Sequence, residues 1–336
     1  MADRTPITHI GVAGAGAWGT ALALVAARAG RRVTLWARRP EQAAALQQSR
    51  VNGTYLPGIP LPDAIQVTAD PADLAAAEAL LLVSPAQHLR ATGDRLAASV
   101  GPDCPLIICA KGIERESGKL MSDVLAEALP GRPHAVLSGP SFAVEVARDL
   151  PTALTLACKD EALGATLVAA LGNPHFRPYL SRDLIGVQLG GAVKNVVAIA
   201  CGLVAGRRLG DNARAALITR GLAEIVRLGR ALGAEPATFM GLSGLGDLVL
   251  TCSATQSRNY AFGLALGEGQ TLEAAVAASV GVIEGRSSAA AVRGLAEAKG
   301  LEMPITRAVD AIVNRGAEID TTIEALLARP FRSEAG

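Results

Sequence analysis

Aromatic side chains are scarce in this sequence, 3% of 336 residues, and that scarcity removes one class of partner at the outset. Single strands of nucleic acid are bound on stacking platforms and duplexes on basic surfaces. Here platforms are few, and 32 Lys and Arg against 31 Asp and Glu leave a formal charge of +1. No nucleic-acid partner is expected, and no global field favours an anionic membrane. Histidine is as thin: His9, His88, His134 and His175 form no HxxxH or Cys/His cluster, so no metal site is expected. The five cysteines (Cys104, Cys109, Cys158, Cys201, Cys252) are odd in number, lack any CxxC pairing and sit mostly in apolar segments. They read as buried free thiols in a reducing cytoplasm. The opening Met1-Ala2-Asp3-Arg4-Thr5-Pro6 has no basic stretch leading into an apolar core, as a secretory signal would. No run of about twenty uncharged apolar residues occurs, the best candidate at 193–205 being too short and holding Lys194. Membrane insertion is therefore not expected, and the expected location is cytoplasmic.

Half the residues are apolar and 19% are charged, as in a globular protein, and the length suits two domains. In the first half, short apolar runs at 8–13, 32–36, 79–83, 105–110, 135–137, 153–157 and 176–180 read as strands. Segments of 3.6-residue periodicity, such as 19–29 and 121–129, lie between them. Strand–helix alternation predicts an α/β fold with a mostly parallel, doubly wound Rossmann-type sheet. After Ser181 the strand signals stop. Asp183 is placed to cap a long helix through Gly202, and further helices are expected at 213–232, 272–279, 287–299 and 304–315. The reading is a dinucleotide-binding domain over 1–184 and an all-helical substrate-binding and catalytic domain over 185–336.

Gly14, Gly16 and Gly19 form G-x-G-x-x-G after the first strand and at the start of a helix, the context that gives this otherwise weak motif meaning. Gly14 allows the tight turn, Gly16 the close approach of a pyrophosphate, and Gly19 the packing of helix on strand. The second strand ends in Leu35-Trp36-Ala37-Arg38-Arg39, where an NAD-specific site would carry an acidic residue for the ribose hydroxyl. Two guanidinium groups there favour the 2′-phosphate of NADP, with NAD the second candidate. The competing reading of Arg38 and Arg39 is a solvated pair ahead of a helix starting at Pro40.

Ligands in a doubly wound sheet bind at the carboxyl ends of the strands. Those loops read Ser84-Pro85, Lys111-Gly112 and Ser138-Gly139-Pro140-Ser141, so all should lie on one rim. Lys111 is assigned to the cofactor or to the substrate. In the helical half Lys194 stands in an apolar helix with Gly190 and Gly191 at i−4 and i−3, the side toward which its side chain leans. These glycines cost helix stability, roughly 1 kcal/mol each, and are expected to leave an open trough beside the ammonium. A hydride reaching a carbonyl carbon puts negative charge on oxygen, and a lysine can meet that charge and give a proton. The alternative is a lysine snorkelling at a domain interface. Asp247, in Gly244-Leu245-Gly246-Asp247, is expected to orient Lys194, bind a substrate hydroxyl, or cap a helix. Gln256-Ser257-Arg258-Asn259 offers donors suited to a phosphate, although such clusters are often solvated loops.

The chain resembles the bacterial glycerol-3-phosphate dehydrogenase [NAD(P)+] family over nearly its whole length. The resemblance is carried by the segments 14–22, Lys111-Gly112, 138–143, 185–195, 212–221, 244–248, 256–259 and 282–285. It implies reversible reduction of dihydroxyacetone phosphate to sn-glycerol 3-phosphate, which feeds phospholipid synthesis. By matching motif, Lys194 would be the proton donor and acceptor. Ala17, Trp18, Arg38, Arg39, Ala143, Val282 and Glu284 would contact the cofactor, and Lys111 both ligands. Gly139, Ser141, Asp247, Ser257, Arg258 and Asn259 would hold the substrate, Arg258 also lying near the cofactor. Ser141 stands where some relatives have threonine, and Tyr260 where a basic residue can occur, which would alter the electrostatics of the rim. A homodimer is left open. The readings weighed against this one are a related hydroxy-acid dehydrogenase and a noncatalytic NAD(P)H-binding sensor. A His/Glu thioester enzyme is disfavoured because no histidine follows residue 183, and the tail 319–336 offers a sensor no output module.

Overall fold

A computed structural model describes residues 6–330; the readings that touch residues 1–5 and 331–336 lie outside the described residues. Eight strands form one sheet: β1 (His9–Ala13), β2 (Arg32–Trp36), β3 (Ile65–Thr68), β4 (Ala79–Leu82), β5 (Leu106–Ile108), β6 (His134–Ser138), β7 (Thr152–Ala157) and β8 (Phe176–Ser181). Their order is β3-β2-β1-β4-β5-β6-β7-β8. The first six run parallel, whereas β7 is antiparallel to β6 and parallel to β8. The central strands are buried throughout, the signature of a sheet covered on both faces. Because β2 and β4 flank β1 on opposite sides, the chain leaves β1 in one direction and β4 in the other, opening a crevice at their carboxyl ends.

The sheet is covered by α1 (Ala17–Arg28), α2 (Pro40–Ser49), α3 (Leu89–Leu96), α4 (Met121–Ala128), α5 (Ala143–Ala147) and α6 (Glu161–Leu171). Leu22, Leu46, Val146 and Leu167 bring α1, α2, α5 and α6 onto one face, and Leu89, Leu96, Met121 and Leu125 bring α3 and α4 onto the other. The strand β3 was not anticipated. It is a four-residue edge strand set among Pro62, Asp63, Asp70 and Pro71, and the exposed Gln66 breaks its apolar run.

Beyond Arg182 the described residues form eight α-helices. They are α7 (Leu184–Gly206), α8 (Asp211–Ala231), α9 (Asp247–Ser253), α10 (Arg258–Gly267), α11 (Leu272–Ala277), α12 (Glu284–Ala298), α13 (Pro304–Arg315) and α14 (Ile319–Leu327). Of these, α8, α9, α10, α12 and α13 pack around the first, α7. The cap of α7 is Asp183, whose carboxylate accepts from Gly186 N at 2.8 Å and from Glu235 N at 2.9 Å. The helix runs four residues past the expected end. It is long and apolar enough to cross a membrane, yet it is buried almost throughout its length, the packing of a core helix. Leu184 and Val187 belong to the core under the sheet, and Leu189 onward to the helical core, so α7 joins the two halves.

Against α7 lies α10, and the two backbones touch through paired glycines. A methyl group on Gly202 would lie 2.1 Å from Tyr260 O, and one on Gly263 2.2 Å from Ile199 O. Replacing Gly263 by Ala therefore has to push the helices apart. We expect Gly263→Ala to cost about 1–3 kcal/mol in urea unfolding. Gly294→Ala on α12, where no atom lies within 4 Å of the added methyl, should be neutral or stabilising. Equal effects at both positions would refute the close approach.

Candidate active site

The loop after β1 is built by its glycines. Gly14 has φ +125°, and a Cβ there would meet Val83 O at 2.7 Å, so the loop abuts the end of β4. A Cβ on Gly19 would lie 1.7 Å from Gly14 O, whereas no atom lies within 4 Å of one on Gly16. Gly16 thus leaves its outer side open, and α1 begins behind it with no side chain capping its first turn, at Ala17 and Trp18. An uncapped helix start beside an open glycine is a cradle for a pyrophosphate. Two residues that sequence reasoning missed fix this loop. Ala15 O accepts from Gln42 Nε2 at 2.7 Å and from the buried Asn52 Nδ2 at 3.1 Å, which also reaches Thr20 Oγ1 at 2.8 Å. No sequence signal ties Asn52 to a loop 37 residues earlier. Arg38 and Arg39 are both exposed beyond β2, with Arg39 3.4 Å from Gln42 Oε1.

Farther along the rim, the two lysines meet on one carboxylate. Lys194 Nζ donates to Asp247 Oδ1 at 2.5 Å and to Thr251 Oγ1 at 2.8 Å. Lys111 Nζ donates to Asp247 Oδ2 at 2.7 Å and to Gly139 O at 2.8 Å, which also accepts from Ser141 Oγ at 2.9 Å. Asp247 is 1% exposed and Lys194 6%. Burial, aided by the Lys111 charge, lowers the Lys194 pKa to about 8 against the attraction of Asp247. An ammonium has three donors, so each lysine keeps one for a ligand. Asp247 itself does not act as a helix cap: Gly246 precedes α9 and the carboxylate is fully engaged by the lysines and Thr251.

The expected trough beside Gly190 and Gly191 is filled. A Cβ on Gly190 would meet Ser243 O at 2.3 Å, and one on Gly191 would meet Ser138 Oγ at 2.6 Å and Lys111 Cγ at 3.4 Å. Gly190 instead lets the π-helical turn Leu242–Gly246 lie on α7 and deliver Asp247 to Lys194, and Gly191 leaves room for the Ser138 and Lys111 side chains. Such turns recur where a side chain must be re-aimed.

The phosphate cradle is narrower than the sequence implies. Ser257 Oγ caps α10 by accepting from Tyr260 N at 3.3 Å. Asn259 is buried, donating to Asn195 Oδ1 at 2.9 Å and accepting from Gly285 N at 2.9 Å. Arg258 is exposed, with its guanidinium against Gly281 and its charge acting on Glu284. Tyr260 is not at the rim: it is buried in the helical core, where a basic side chain would be costly. Glu284 opens α12 and accepts from Ala86 N at 3.0 Å through Oε1; burial pushes its carboxyl pKa up. Val282 is exposed just before it, and Ala143 is half-buried at the start of α5.

Among the described residues six buried side-chain polar atoms have no hydrogen-bond partner, and five belong to this rim or to the helices opening on it: Trp18 Nε1, Ser84 Oγ, Ser138 Oγ, Glu284 Oε2 and Ser288 Oγ. Unmet hydrogen-bonding capacity concentrated in one crevice marks a ligand site. It fits a dinucleotide along β1 and β4 with a small anion beside Lys194 and Lys111. No group of three metal-ligating side chains occurs among the described residues, and all five cysteines are free and buried.

The family described as NAD-dependent glycerol-3-phosphate dehydrogenase N-terminus matches residues 9–164, and its C-terminus counterpart matches residues 183–324. The chain is 58% identical to glycerol-3-phosphate dehydrogenase [NAD(P)+] of Caulobacter vibrioides over 97% of this chain and 98% of that one. It is 56% identical to the enzyme of the same name from Parvibaculum lavamentivorans, with the same coverage. A crystal structure of glycerol-3-phosphate dehydrogenase from Coxiella burnetii superposes with a TM-score of 0.93 at 41% identity, over 96% of this chain and 99% of that one.

The lowered pKa of Lys194 makes a prediction about stability. Its folded value lies below the free-lysine value of 10.5, so between about 8 and 10.5 the unfolded chain holds the extra proton. This residue's contribution to stability therefore rises with pH across that window. Wild type minus Lys194→Met should gain up to about 3 kcal/mol of unfolding free energy on going from pH 7.5 to 10.5, at about 1.4 kcal/mol per pKa unit. A flat difference in urea unfolding would show an ordinary lysine.

Proposed function

The chain belongs to the NAD-dependent glycerol-3-phosphate dehydrogenase family, and from that premise we propose how its own residues interconvert dihydroxyacetone phosphate and sn-glycerol 3-phosphate. It is an NAD(P)-dependent oxidoreductase, and glycerol 3-phosphate so made supplies phospholipid synthesis. The reading divides the chain into a dinucleotide-binding domain over 1–184 and a catalytic domain over 185–336. Five buried free thiols support a cytoplasmic location.

Gly14, Gly16 and Gly19, with Ala17 and Trp18, would hold the pyrophosphate end of the cofactor, and Ala143, Val282, Glu284, Lys111 and Arg258 would complete its site. A reduced nicotinamide, when bound, supplies the hydride to the carbonyl carbon. Lys194 directs its free N–H at the carbonyl oxygen and gives it a proton as negative charge develops there, leaving a neutral amine. Its pKa near 8 keeps it mostly protonated at neutral pH yet ready to release the proton. Asp247 holds both ammoniums on the reacting side, and Lys111 and Arg258, with Gly139, Ser141, Ser257 and Asn259 around them, bind the substrate. The observation that carries this reading is the Asp247 carboxylate shared by Lys194 and Lys111.

Two exposed arginines after β2 support a preference for NADPH. Replacing Arg38 and Arg39 together by Ser should raise the KM for NADPH about tenfold or more, with NADH changed less than about twofold. Equal effects on the two cofactors would remove these residues from 2′-phosphate recognition. The main test follows absorbance at 340 nm with dihydroxyacetone phosphate. Lys194→Ala should lose at least about a thousandfold in kcat while still binding NADPH in a fluorescence titration. A variant that keeps its turnover would overturn the assignment.

A further inference from the structure

Lys111 has to be held against Asp247, yet it sits in the stretch between β5 and α4, so something must fix that backbone. Glu114 N donates to Lys119 O at 3.0 Å within the loop, and from outside it the backbone is held by Gln87, in the short 3-10 turn Ala86–His88 that follows β4. Its Nε2 donates to Ile113 O at 2.8 Å and its Oε1 accepts from Arg115 N at 2.9 Å. One amide thus satisfies the carbonyl and the N–H on either side of Glu114, as a neighbouring strand would.

The turn that carries Gln87 is itself locked from the helical half. Glu284 Oε1 accepts from Ala86 N, and Gly112 has no room for a side chain because a Cβ there would lie 2.5 Å from Ala86 Cβ and 3.3 Å from Glu284 Oε2. Asn195 Nδ2 lies 3.5 Å from Lys111 O on the far side. Arg90, farther along, forks Glu114 at 2.9 and 2.8 Å, but that pair is part-exposed and therefore weak. The amide of Gln87 is a neutral clamp with two short hydrogen bonds to this backbone, whereas Asn195 makes one long one.

Resting on the reaction assigned above, we propose that Gln87 is a positioning residue: by clamping the backbone at Ile113 and Arg115 it keeps the Lys111 ammonium on Asp247, and so sets the charge pair that receives the substrate. Loosening the clamp lets the Lys111 charge withdraw. The titratable groups acting on Lys194 are Asp247 and Cys252 from α9 and Lys111 from the β5 loop, and Lys111 is the nearby charge that lowers it. A looser Lys111 therefore moves Lys194 upward, and the basic limb of the reduction with it.

Gln87→Met, which fills the space without hydrogen bonding, and Gln87→Ala test this. Both should raise the KM for dihydroxyacetone phosphate about tenfold, change the KM for NADPH less than about twofold, and shift the basic limb of kcat/KM to higher pH. Gln87→Glu, which keeps the acceptor for Arg115 N, should recover part of the loss. A purely structural role would lower Tm while leaving the KM split and the pH limb at wild-type values, and that result would overturn the proposal. Amine labelling with acetic anhydride, read by mass spectrometry, stands apart from the reaction. Lys111 labelling should rise severalfold in Gln87→Met with exposed Lys159 unchanged, and unchanged Lys111 labelling would overturn the clamp. Wild type inactive on dihydroxyacetone phosphate would sink the reaction itself, and the labelling would still decide the clamp.

Discussion

Burying an ammonium group costs several kcal/mol, and burying two beside each other costs more, unless a carboxylate lies between them. Asp247 supplies that carboxylate, with one oxygen on Lys194 and the other on Lys111. Three charged groups then leave one positive charge in excess in a site largely removed from water. An arrangement of this kind is a poor stabiliser of the fold, because desolvation offsets most of the attraction. It suits a site that must welcome negative charge, whether the phosphate of an incoming substrate or the oxygen on which charge develops during reduction. Burial, with the Lys111 charge adding to it, holds Lys194 near pH 8 instead of at the value of a free lysine, against the attraction of Asp247.

Much of the fold can be understood as the means of delivering that carboxylate. Lys194 is fixed in the middle of α7, which begins in the core under the sheet and ends in the helical core. Asp247 arrives on the π-helical turn, which can lie on α7 only because Gly190 leaves Ser243 room. Lys111 comes from the sheet side, at the carboxyl end of β5. The three groups thus belong to three separate pieces of chain, and their meeting couples the two halves of the molecule. Along the same rim, Glu284 ties the start of α12 to the turn after β4, which in turn touches the glycine loop through Val83 and Gly14.

Sequence patterns revealed the parts of this arrangement that follow from local physics. Seven of the eight strands, the Asp183 cap and the glycine loop each announce themselves within a few residues. Lys194 stood out because an ammonium in an apolar helix demands a partner. What sequence could not show was the shape of contacts between distant segments. Gly190 and Gly191 look like a hole for a ligand and prove to be contact points for Ser243 and Ser138, because a missing side chain marks space without saying what fills it. Asn259 and Ser257 look like loop donors and also hold the fold, Asn259 bonded to Asn195 and Gly285 and Ser257 Oγ accepting from Tyr260 N. Asn52, Gln42 and Gln87 went unread because a single amide bonded to a remote backbone leaves no periodic trace. In β3 the exposed Gln66 interrupts the apolar run by which the other strands are read.

The account stands or falls on the protonation of Lys194 and on its dependence on Asp247. Labelling the lysines with 13C at Cε and following their NMR shifts with pH measures this directly. Lys194 should titrate near 8, and in Asp247→Asn, where the attraction that opposes burial is gone, it should fall lower still. A Lys194 signal that titrates at the free-lysine value of 10.5, or that is unmoved by Asp247→Asn, would contradict it.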